Sequence, residues 1–347
     1  MLRSLLTLFL FTLLASSTAI AAGGSGTGPD LSKLKPSCFS ASANPVLKSG
    51  DLFSGATWND PSVLKVGAQY VMYASADVNF DQNIQIYRLV SADGKSWSLS
   101  PSHPVFSKPS NPNAWDAKSV ETPSVVLFKN VYYLFYTGYP SSYNDVGSYK
   151  IGYATSVDGI NWVRRSSFLL APTLPKGQPN LNFNQYLVGE PGAVVFNGKI
   201  YLYFSALGAD ANLGAVVQTI GLVTSSNGTS WSAPQRVLVP DQAQYPISQW
   251  AGYSTPSPIV LGGKLHLYFS VAHGNPWNQQ YIHHAVSSDG ISNWAQDSSA
   301  VFNDKQFAWS YDEIRAPTLL LDGTQLLMWL GGTAGTTLSV GLANCAL

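Results

Sequence analysis

The sequence repeats one short pattern five times, and this repetition constrains the fold more than any other feature. Each copy places a polar or small residue before a proline and an apolar run, as in Trp58-Asn59-Asp60-Pro61-Ser62-Val63. The copies cover residues 58–63, 120–126, 189–195, 254–260 and 315–320, with prolines at positions 61, 123, 191, 256 and 317. The intervals between these prolines are 62, 68, 65 and 61 residues. Such even spacing is typical of a repeat architecture.

The interior of each repeat predicts four short strands. An apolar strand and a turn follow the proline, and second strands are predicted over Tyr132–Tyr136, Ile200–Phe204 and Leu265–Phe269. A third strand, such as Lys150–Thr155, leads into a hairpin in which Asp-Gly or Asn-Gly supplies the positive φ. We expect the tryptophan that ends each hairpin to pack at the edge of a blade. The sequence therefore predicts an all-β fold, a five-bladed β-propeller with four-stranded antiparallel blades and a ring closed near the termini.

The first 21 residues predict a signal peptide. Arg3 gives the positive start, Leu5–Leu14 the apolar run, and Ala19-Ile20-Ala21 the small-residue cleavage pattern. The apolar run is too short to span a membrane. We therefore expect cleavage near Ala21 and a secreted protein, extracellular or periplasmic.

The remaining chain predicts one domain closed by a disulfide. Residues 22–37 are expected to form a flexible N-terminal spacer, and residues 38–347 a single propeller. The two cysteines, Cys38 and Cys345, stand at opposite ends of this domain, and in an exported protein they predict a disulfide. For so long a loop the chain-entropy estimate of the stabilisation is about 5 kcal/mol.

Composition and charge narrow the class of partner. Charged residues make up 11% of the chain and the formal net charge is zero, which argues against nucleic acid and more weakly against a polyanionic substrate. The 18 tyrosines and 10 tryptophans, together with many uncharged polar residues, suit a neutral, hydroxyl-rich ligand such as an oligo- or polysaccharide. We expect a monomer that binds neither nucleic acid nor a membrane.

Three carboxylates and one arginine stand one or two places before the repeat prolines: Asp60 and Glu190 directly before them, Glu121 and Arg315 one place earlier. In a propeller the loops that enter the innermost strands share one face, so Asp60, Glu121, Glu190 and Arg315 are expected to surround one funnel. Pro61 is expected to hold Asp60 in an extended conformation. Glycosidic cleavage needs one ionised carboxylate and one protonated carboxylic acid facing the same bond. The pattern therefore favours a glycosidase.

Trp58-Asn59-Asp60-Pro61 resembles a motif of two groups of five-bladed β-propeller glycoside hydrolases. These are the arabinanase, arabinofuranosidase and xylosidase group of family 43 and the invertase and levanase group of family 32. The resemblance implies that Asp60 is the nucleophile or base and that Glu190, in the third repeat, is the proton donor. Thr122 stands where those families have an aspartate, and Glu121, one place earlier, is the modulator or an alternative acid. The substrate class implied is a furanose- or pentose-containing glycan, with an arabinan favoured.

Further residues are candidates for binding substrate or an ion. Those expected to contact the sugar are Trp58, Asn59, Trp115, Asp116, Thr255, Trp309 and Arg315. No cofactor is required, but some arabinan enzymes of this fold hold a central ion through a histidine. The resemblance therefore makes His273 a candidate ligand for a structural calcium or sodium ion.

Three other functions compete with hydrolysis. A sialidase would need three arginines around a carboxylate and six blades, and a phosphorylase would need a basic cluster for phosphate. Neither pattern is present in the sequence. The serious alternative is a secreted carbohydrate-binding propeller, lectin-like or an inactive relative. Because the acids occur only in the first three repeats, whereas lectin propellers usually repeat their binding residues in every blade, the sequence favours catalysis.

Overall fold

The structure is a computed structural model that describes residues 28–142, 145–173, 182–249, 251–274 and 279–347. The predicted signal peptide lies outside these residues. Within the described ranges the chain forms β-strands and six short 3-10 turns, and no α-helix. The turns are Leu31–Lys33, Pro36–Cys38, Val146–Ser148, Ile247–Gln249, Asp304–Gln306 and Ala308–Ser310. No helix in the described part is long and apolar enough to cross a membrane.

Each repeat forms an antiparallel sheet whose strands follow chain order, as predicted. Repeat one consists of Ala56–Val66, Gln69–Val78, Gln85–Ser91 and Ser98–Leu99. Repeat two consists of Ser119–Phe128, Val131–Tyr139, Lys150–Ser156 and Val163–Arg164. Repeat three consists of Leu187–Phe196, Lys199–Asp210, Ala215–Ser225 and Gln235–Leu238. Repeat four consists of Ala251–Leu261, Lys264–His273, Gln279–Ser287 and Ala295–Gln296, with Phe302–Asn303 paired to its third strand. Repeats three and four join in one nine-stranded sheet through a single parallel pair, Gln218 and Gly252.

Repeat five combines strands from both ends of the chain. Its first three strands are Glu313–Asp322, Gln325–Ala334 and Thr337–Ala346, and the last of these pairs with Ser40–Ala41 and Leu47–Lys48. The predicted disulfide between Cys38 and Cys345 is present. The N-terminal segment therefore supplies the outer edge of the last sheet.

Five buried clusters lie between successive sheets. In each cluster, side chains of one repeat interlock with those of the next, and one cluster joins repeat five to repeat one. Members that adjacent repeats contribute to the same cluster include Tyr73 and Leu134, Phe135 and Leu202, Tyr203 and Leu267, Tyr268 and Leu319, and Trp329 and Trp58. The hydrophobic core is thus distributed between the sheets, and burial of this apolar area holds neighbouring repeats together.

The hairpin tryptophans pack between sheets as well as at their edges. Each contacts an aromatic side chain on the second strand of the preceding repeat, with ring centroids 5.5–6.2 Å apart. The pairs are Trp97 with Trp329, Trp162 with Tyr73, Trp231 with Phe135, and Trp294 with Tyr203. Edge-to-face contacts of this kind are typical of aromatic pairs.

A β-bulge occurs at the proline of every first strand. The ladder in repeat one pairs Asn59 with Ser75 and then Ser62 with Tyr73, so Asp60 and Pro61 together oppose one residue. The residue before each proline has a positive φ: 48° at Asp60, 50° at Thr122, 51° at Glu190, 44° at Thr255 and 49° at Ala316. The prediction of an extended Asp60 is therefore wrong. Because proline has no N–H for the ladder, the strand bulges there, and the bulge outweighs the usual preference of the preceding residue.

Candidate active site

One cavity collects the polar residues that the repeats place before their prolines. It has a volume of about 700 Å³, and we call it the funnel cavity. Its lining includes Asp60, Glu121, Glu190 and Arg315, which come from repeats one, two, three and five. The structure therefore brings together the four groups expected around one funnel.

A second cavity of about 400 Å³ lies beyond the bulges and is lined by the first strands of all five repeats. The five bulge prolines face it together with the apolar residues that follow them. Asp60, Thr122, Glu190 and Thr255 line both cavities. These four residues stand where the polar funnel meets an apolar channel.

Hydroxyl groups hold the bulges in place from the neighbouring repeat. In repeats two to five, the N–H of the residue before the proline donates to a serine or threonine on the second strand of the preceding repeat, over 2.8–3.1 Å. The pairs are Thr122 with Ser75, Glu190 with Thr137, Thr255 with Ser205, and Ala316 with Ser270. These bonds satisfy backbone groups in a conformation that is unfavourable for residues other than glycine, and they fix the backbone from which the carboxylates project.

Glu190 is oriented by two hydrogen bonds. Its Oε2 accepts the hydroxyl of Ser205 at 2.5 Å and the backbone N–H of Thr255 at 3.2 Å. Ser205 lies on the neighbouring strand of the same repeat, and Thr255 is the bulge residue of the next. The Glu190 carboxylate is therefore tied to two repeats while it faces the cavity.

Asp60 and Glu121 have raised pKa values. Burial raises the pKa of Asp60 to about 6, and the charge of Glu190 adds to this effect while Arg315 opposes it. Burial also raises the pKa of Glu121 to about 8, supported by the negative charges of Asp60 and Glu190. Near pH 7 the pair therefore consists of an ionised Asp60 and a protonated Glu121.

Arg315 is the cation of this cluster. Its Nη1 contacts Glu313 Oε2 at 2.8 Å, and Thr333 donates its hydroxyl to the same oxygen at 3.1 Å. Burial alone would lower the pKa of Arg315, but the charges of Glu313, Asp60 and the other carboxylates raise it. The guanidinium therefore stays positively charged beside the acids.

The structure separates the predicted substrate-binding residues into two groups. Asn59, Thr255 and Arg315 line the funnel cavity. The other four, Trp58, Trp115, Asp116 and Trp309, line neither of the two cavities.

Two of the three tryptophans predicted to bind substrate, Trp58 and Trp309, are buried within the protein. Trp58 is 0% exposed in the cluster between repeats five and one, and its Nε1 donates to Asp51. Trp309 is buried and lies flat against Phe307. Trp115 stacks on Tyr136 at 5.6 Å and so uses one face within the protein. Neither Trp58 nor Trp309 can offer a ring to a sugar.

Asp116 has a structural role. It is 1% exposed, forms an ion pair with Arg164 and accepts the hydroxyl of Tyr136 at 2.9 Å. A buried carboxylate needs such partners to offset its desolvation. The prediction that Asp116 binds substrate is therefore wrong.

His273 lies apart from the funnel cavity, at the end of the second strand of repeat four. It is buried, its Nδ1 is 3.4 Å from Gln279 Oε1, and its ring meets Tyr245 edge-on. Among the described residues no group of three or more His, Cys, Asp or Glu side chains is arranged to hold a metal ion. The residues present around His273 therefore do not form a ligand set, and the predicted ion stays a prediction.

Several cavity residues were missed by the sequence analysis. They are Asp77, Phe80, Gln82 and Tyr149. A repeated signal was also overlooked, because a serine or threonine stands 15 residues after the bulge residue in repeats one to four, at Ser75, Thr137, Ser205 and Ser270. In repeat five this place is held by Gly331, and a Cβ there would lie 2.5 Å from Asn59 Oδ1. The missing side chain leaves room for Asn59.

Comparison with known proteins identifies the fold. The chain matches no family model and no curated protein. Among solved structures it is similar to a thermostable family-43 glycoside hydrolase, with TM-score 0.60, 16% identity and coverage of 83% of this chain and 89% of that one. An endo-arabinase from Bacteroides thetaiotaomicron gives TM-score 0.59, 17% identity and coverage of 88% and 97%. A β-1,2-mannobiose phosphorylase from Listeria innocua gives TM-score 0.65, 13% identity and coverage of 89% and 96%. The chain thus has the fold of these enzymes, in agreement with the family resemblance of its sequence.

Proposed function

We propose that the chain is a secreted five-bladed β-propeller glycoside hydrolase. Five repeats packed in chain order, with repeat five against repeat one and the N-terminal segment completing the last sheet, support a closed ring of blades. The signal-like N-terminus and the disulfide support an exported protein. The neighbours named as family-43 hydrolase and endo-arabinase support a glycan substrate of the furanose or pentose type.

The observation that carries this proposal is the convergence of Asp60, Glu121 and Glu190 on one cavity. Asp60 serves as base or nucleophile, because it is ionised above a pKa of about 6. The resemblance assigns the proton donor to Glu190, whereas the pKa of about 8 favours Glu121. Hydrolysis needs one such acid and one such base at the same bond.

The charge of the cavity selects the substrate. Among its described lining residues six are carboxylates, namely Asp60, Asp77, Glu121, Glu190, Asp312 and Glu313, and one is a cation, Arg315. An anionic sugar or inorganic phosphate would be repelled there. The substrate is therefore a neutral glycan, and phosphorolysis is disfavoured although a phosphorylase shares the fold.

The test is reducing-sugar release from arabinan, arabinogalactan, fructan, xylan and β-mannan, with and without phosphate. We expect phosphate-independent release by the wild type and loss of roughly a hundredfold or more in Asp60→Asn. Asp145→Asn, an exposed carboxylate outside the cavity, is the matched control and should keep full activity. Circular dichroism confirms that each variant is folded.

The same assay shows which of the two glutamates, Glu121 or Glu190, is the proton donor. Loss in Glu121→Gln with survival in Glu190→Gln would make Glu121 the proton donor, and the reverse would restore the family assignment. Binding of one glycan without release, unaffected by any of these changes, would replace the proposal with a carbohydrate-binding propeller.

A further inference from the structure

Phe80 is a half-exposed aromatic residue on the wall of the funnel cavity. Its side chain is 49% exposed and lines the cavity together with the catalytic candidates. The other aromatic residue in the lining, Tyr149, stacks on Tyr139 at 4.7 Å with the rings 13° apart. Phe80 therefore presents an accessible aromatic ring to the funnel cavity.

The backbone around Phe80 adopts an unusual conformation. Asn79, Phe80 and Gln82 have φ values of 54°, 59° and 59°. The left-handed region is uncommon for residues other than glycine and exceptional for a bulky side chain. Such a conformation persists only where the surrounding structure enforces it.

The loop that carries Phe80 is tied to two repeats. The N–H of Asn79 donates to Gly55 O at 2.8 Å, and that of Gln82 donates to Asp77 Oδ2 at 3.0 Å. Ser119, which begins repeat two, donates its hydroxyl to Gln82 O at 2.6 Å. These bonds flank Phe80 on both sides, so the fold fixes the backbone position from which its ring faces the cavity.

We propose that Phe80 forms a sugar-binding subsite at the mouth of the funnel, distinct from the carboxylate centre. Its ring stacks on the C–H face of a sugar that lies outside the two residues flanking the cleaved bond. The inference rests on the proposed function, because it requires a neutral oligosaccharide that enters the acidic cavity. The ligand class is a neutral chain of more than two sugars, because the sugar that stacks on Phe80 lies beyond the two that flank the cleaved bond.

The first experiment compares KM and kcat for arabinobiose and arabinohexaose in the wild type, Phe80→Ala and Phe80→Tyr. We expect Phe80→Ala to raise KM for the hexaose roughly two- to tenfold, the range of one aromatic contact. Its kcat and the kinetics of the biose should stay within about twofold, and Phe80→Tyr should restore the KM. Phe168→Ala is the matched control, because Phe168 is 44% exposed and lies outside both cavities. An unchanged KM for the hexaose in Phe80→Ala would overturn the subsite.

The second experiment separates this inference from the proposed function. Binding of arabinohexaose, xylohexaose and nystose is measured by isothermal titration calorimetry with the wild type, Asp60→Asn and Asp60→Asn/Phe80→Ala. Binding without hydrolysis that weakens with Phe80→Ala would keep the subsite and overturn the hydrolase. Hydrolysis with binding that is insensitive to Phe80→Ala would keep the hydrolase and overturn the subsite. If none of the three probes binds the wild type, both are overturned.

Discussion

Asp60 and Glu121 have pKa values on either side of neutrality because they share one buried site. Two neighbouring carboxyl groups cannot both ionise cheaply in a low-dielectric cavity. Arg315 lowers the pKa of both, but Asp60 is the group that ionises first. Glycosidic cleavage needs one protonated and one ionised carboxyl group. Here burial, together with repulsion from neighbouring carboxylates, produces this combination.

The pH dependence of activity follows from these values. With Asp60 as the base and Glu121 as the proton donor, activity requires that Asp60 lose its proton, at a pKa of about 6, and that Glu121 keep its proton, up to a pKa of about 8. We expect kcat/KM to rise through pH 6, to reach a plateau near pH 7 and to fall through pH 8. The profile is measured on the glycan identified in the panel. A fall near pH 8 that persists in an active Glu121→Gln variant would show that another group controls it.

The same shift predicts the pH dependence of stability. The carboxyl of a glutamate in water has a pKa of 4.5, whereas that of Glu121 has a pKa of about 8 in the folded chain. Between these values the folded state keeps a proton that the unfolded state has released, so a rise in pH favours unfolding. We expect the melting temperature to fall by a few degrees between pH 5 and pH 8, measured by differential scanning calorimetry. In Glu121→Gln the slope should be smaller, and an equal slope in both proteins would contradict the raised pKa.

At the scale of the strand, a second row of hydroxyls joins the repeats just beyond the bulges. Ser62 accepts the N–H of Val125 at 3.0 Å, and Ser124 accepts that of Ala193 at 2.8 Å. In repeat three the position of these serines is held by Gly192, which faces Pro256 and Pro258 of repeat four. Proline has no N–H, so no acceptor is needed there. Gly192 therefore suits its neighbour, because Pro258 needs no hydroxyl acceptor and the absent side chain leaves room for the proline ring.

Gly192→Ala tests this packing. A Cβ at Gly192 would lie 1.7 Å from the backbone oxygen of Pro256 and 3.0 Å from Pro258 Cδ. Because backbone atoms cannot move aside without disturbing both repeats, we expect a loss of at least about 1–3 kcal/mol in the free energy of unfolding. Urea denaturation provides the measurement. Ala193→Gly, at the next residue, is the control for a small change in the same strand, and a stability of Gly192→Ala equal to the wild type would refute the close approach.

At the scale of the whole molecule, the repeat period was sufficient to predict the sheets, and the two cysteines in a chain expected to be exported were sufficient to predict the disulfide. The burial of Trp58 was not predicted, although the repeats contained the information. The equivalent place, three residues before each proline, is held by Val120, Val188, Tyr253 and Ile314, and all are buried. Strand alternation would put Trp58 and Asp60 on the same face. The bulge breaks this alternation and turns Asp60 toward the cavity, and a bulge is a tertiary feature that single-strand reasoning does not supply.

The last prediction concerns the disulfide that joins the N-terminal segment to repeat five. Cys345 belongs to the third strand of repeat five, and Cys38 directly precedes the segment that pairs with this strand. The bond spans 307 residues of sequence, so it removes much of the entropy of the unfolded chain. We expect Cys38→Ser/Cys345→Ser to lose about 2–5 kcal/mol of stability. Hydrogen exchange should show early opening at Ser40–Ala41 and Leu47–Lys48, because these strands are short and lie at an edge. Activity at low temperature should persist, since the funnel cavity is built by the first strands, and loss of activity without loss of stability would show that the terminal strands also shape the site.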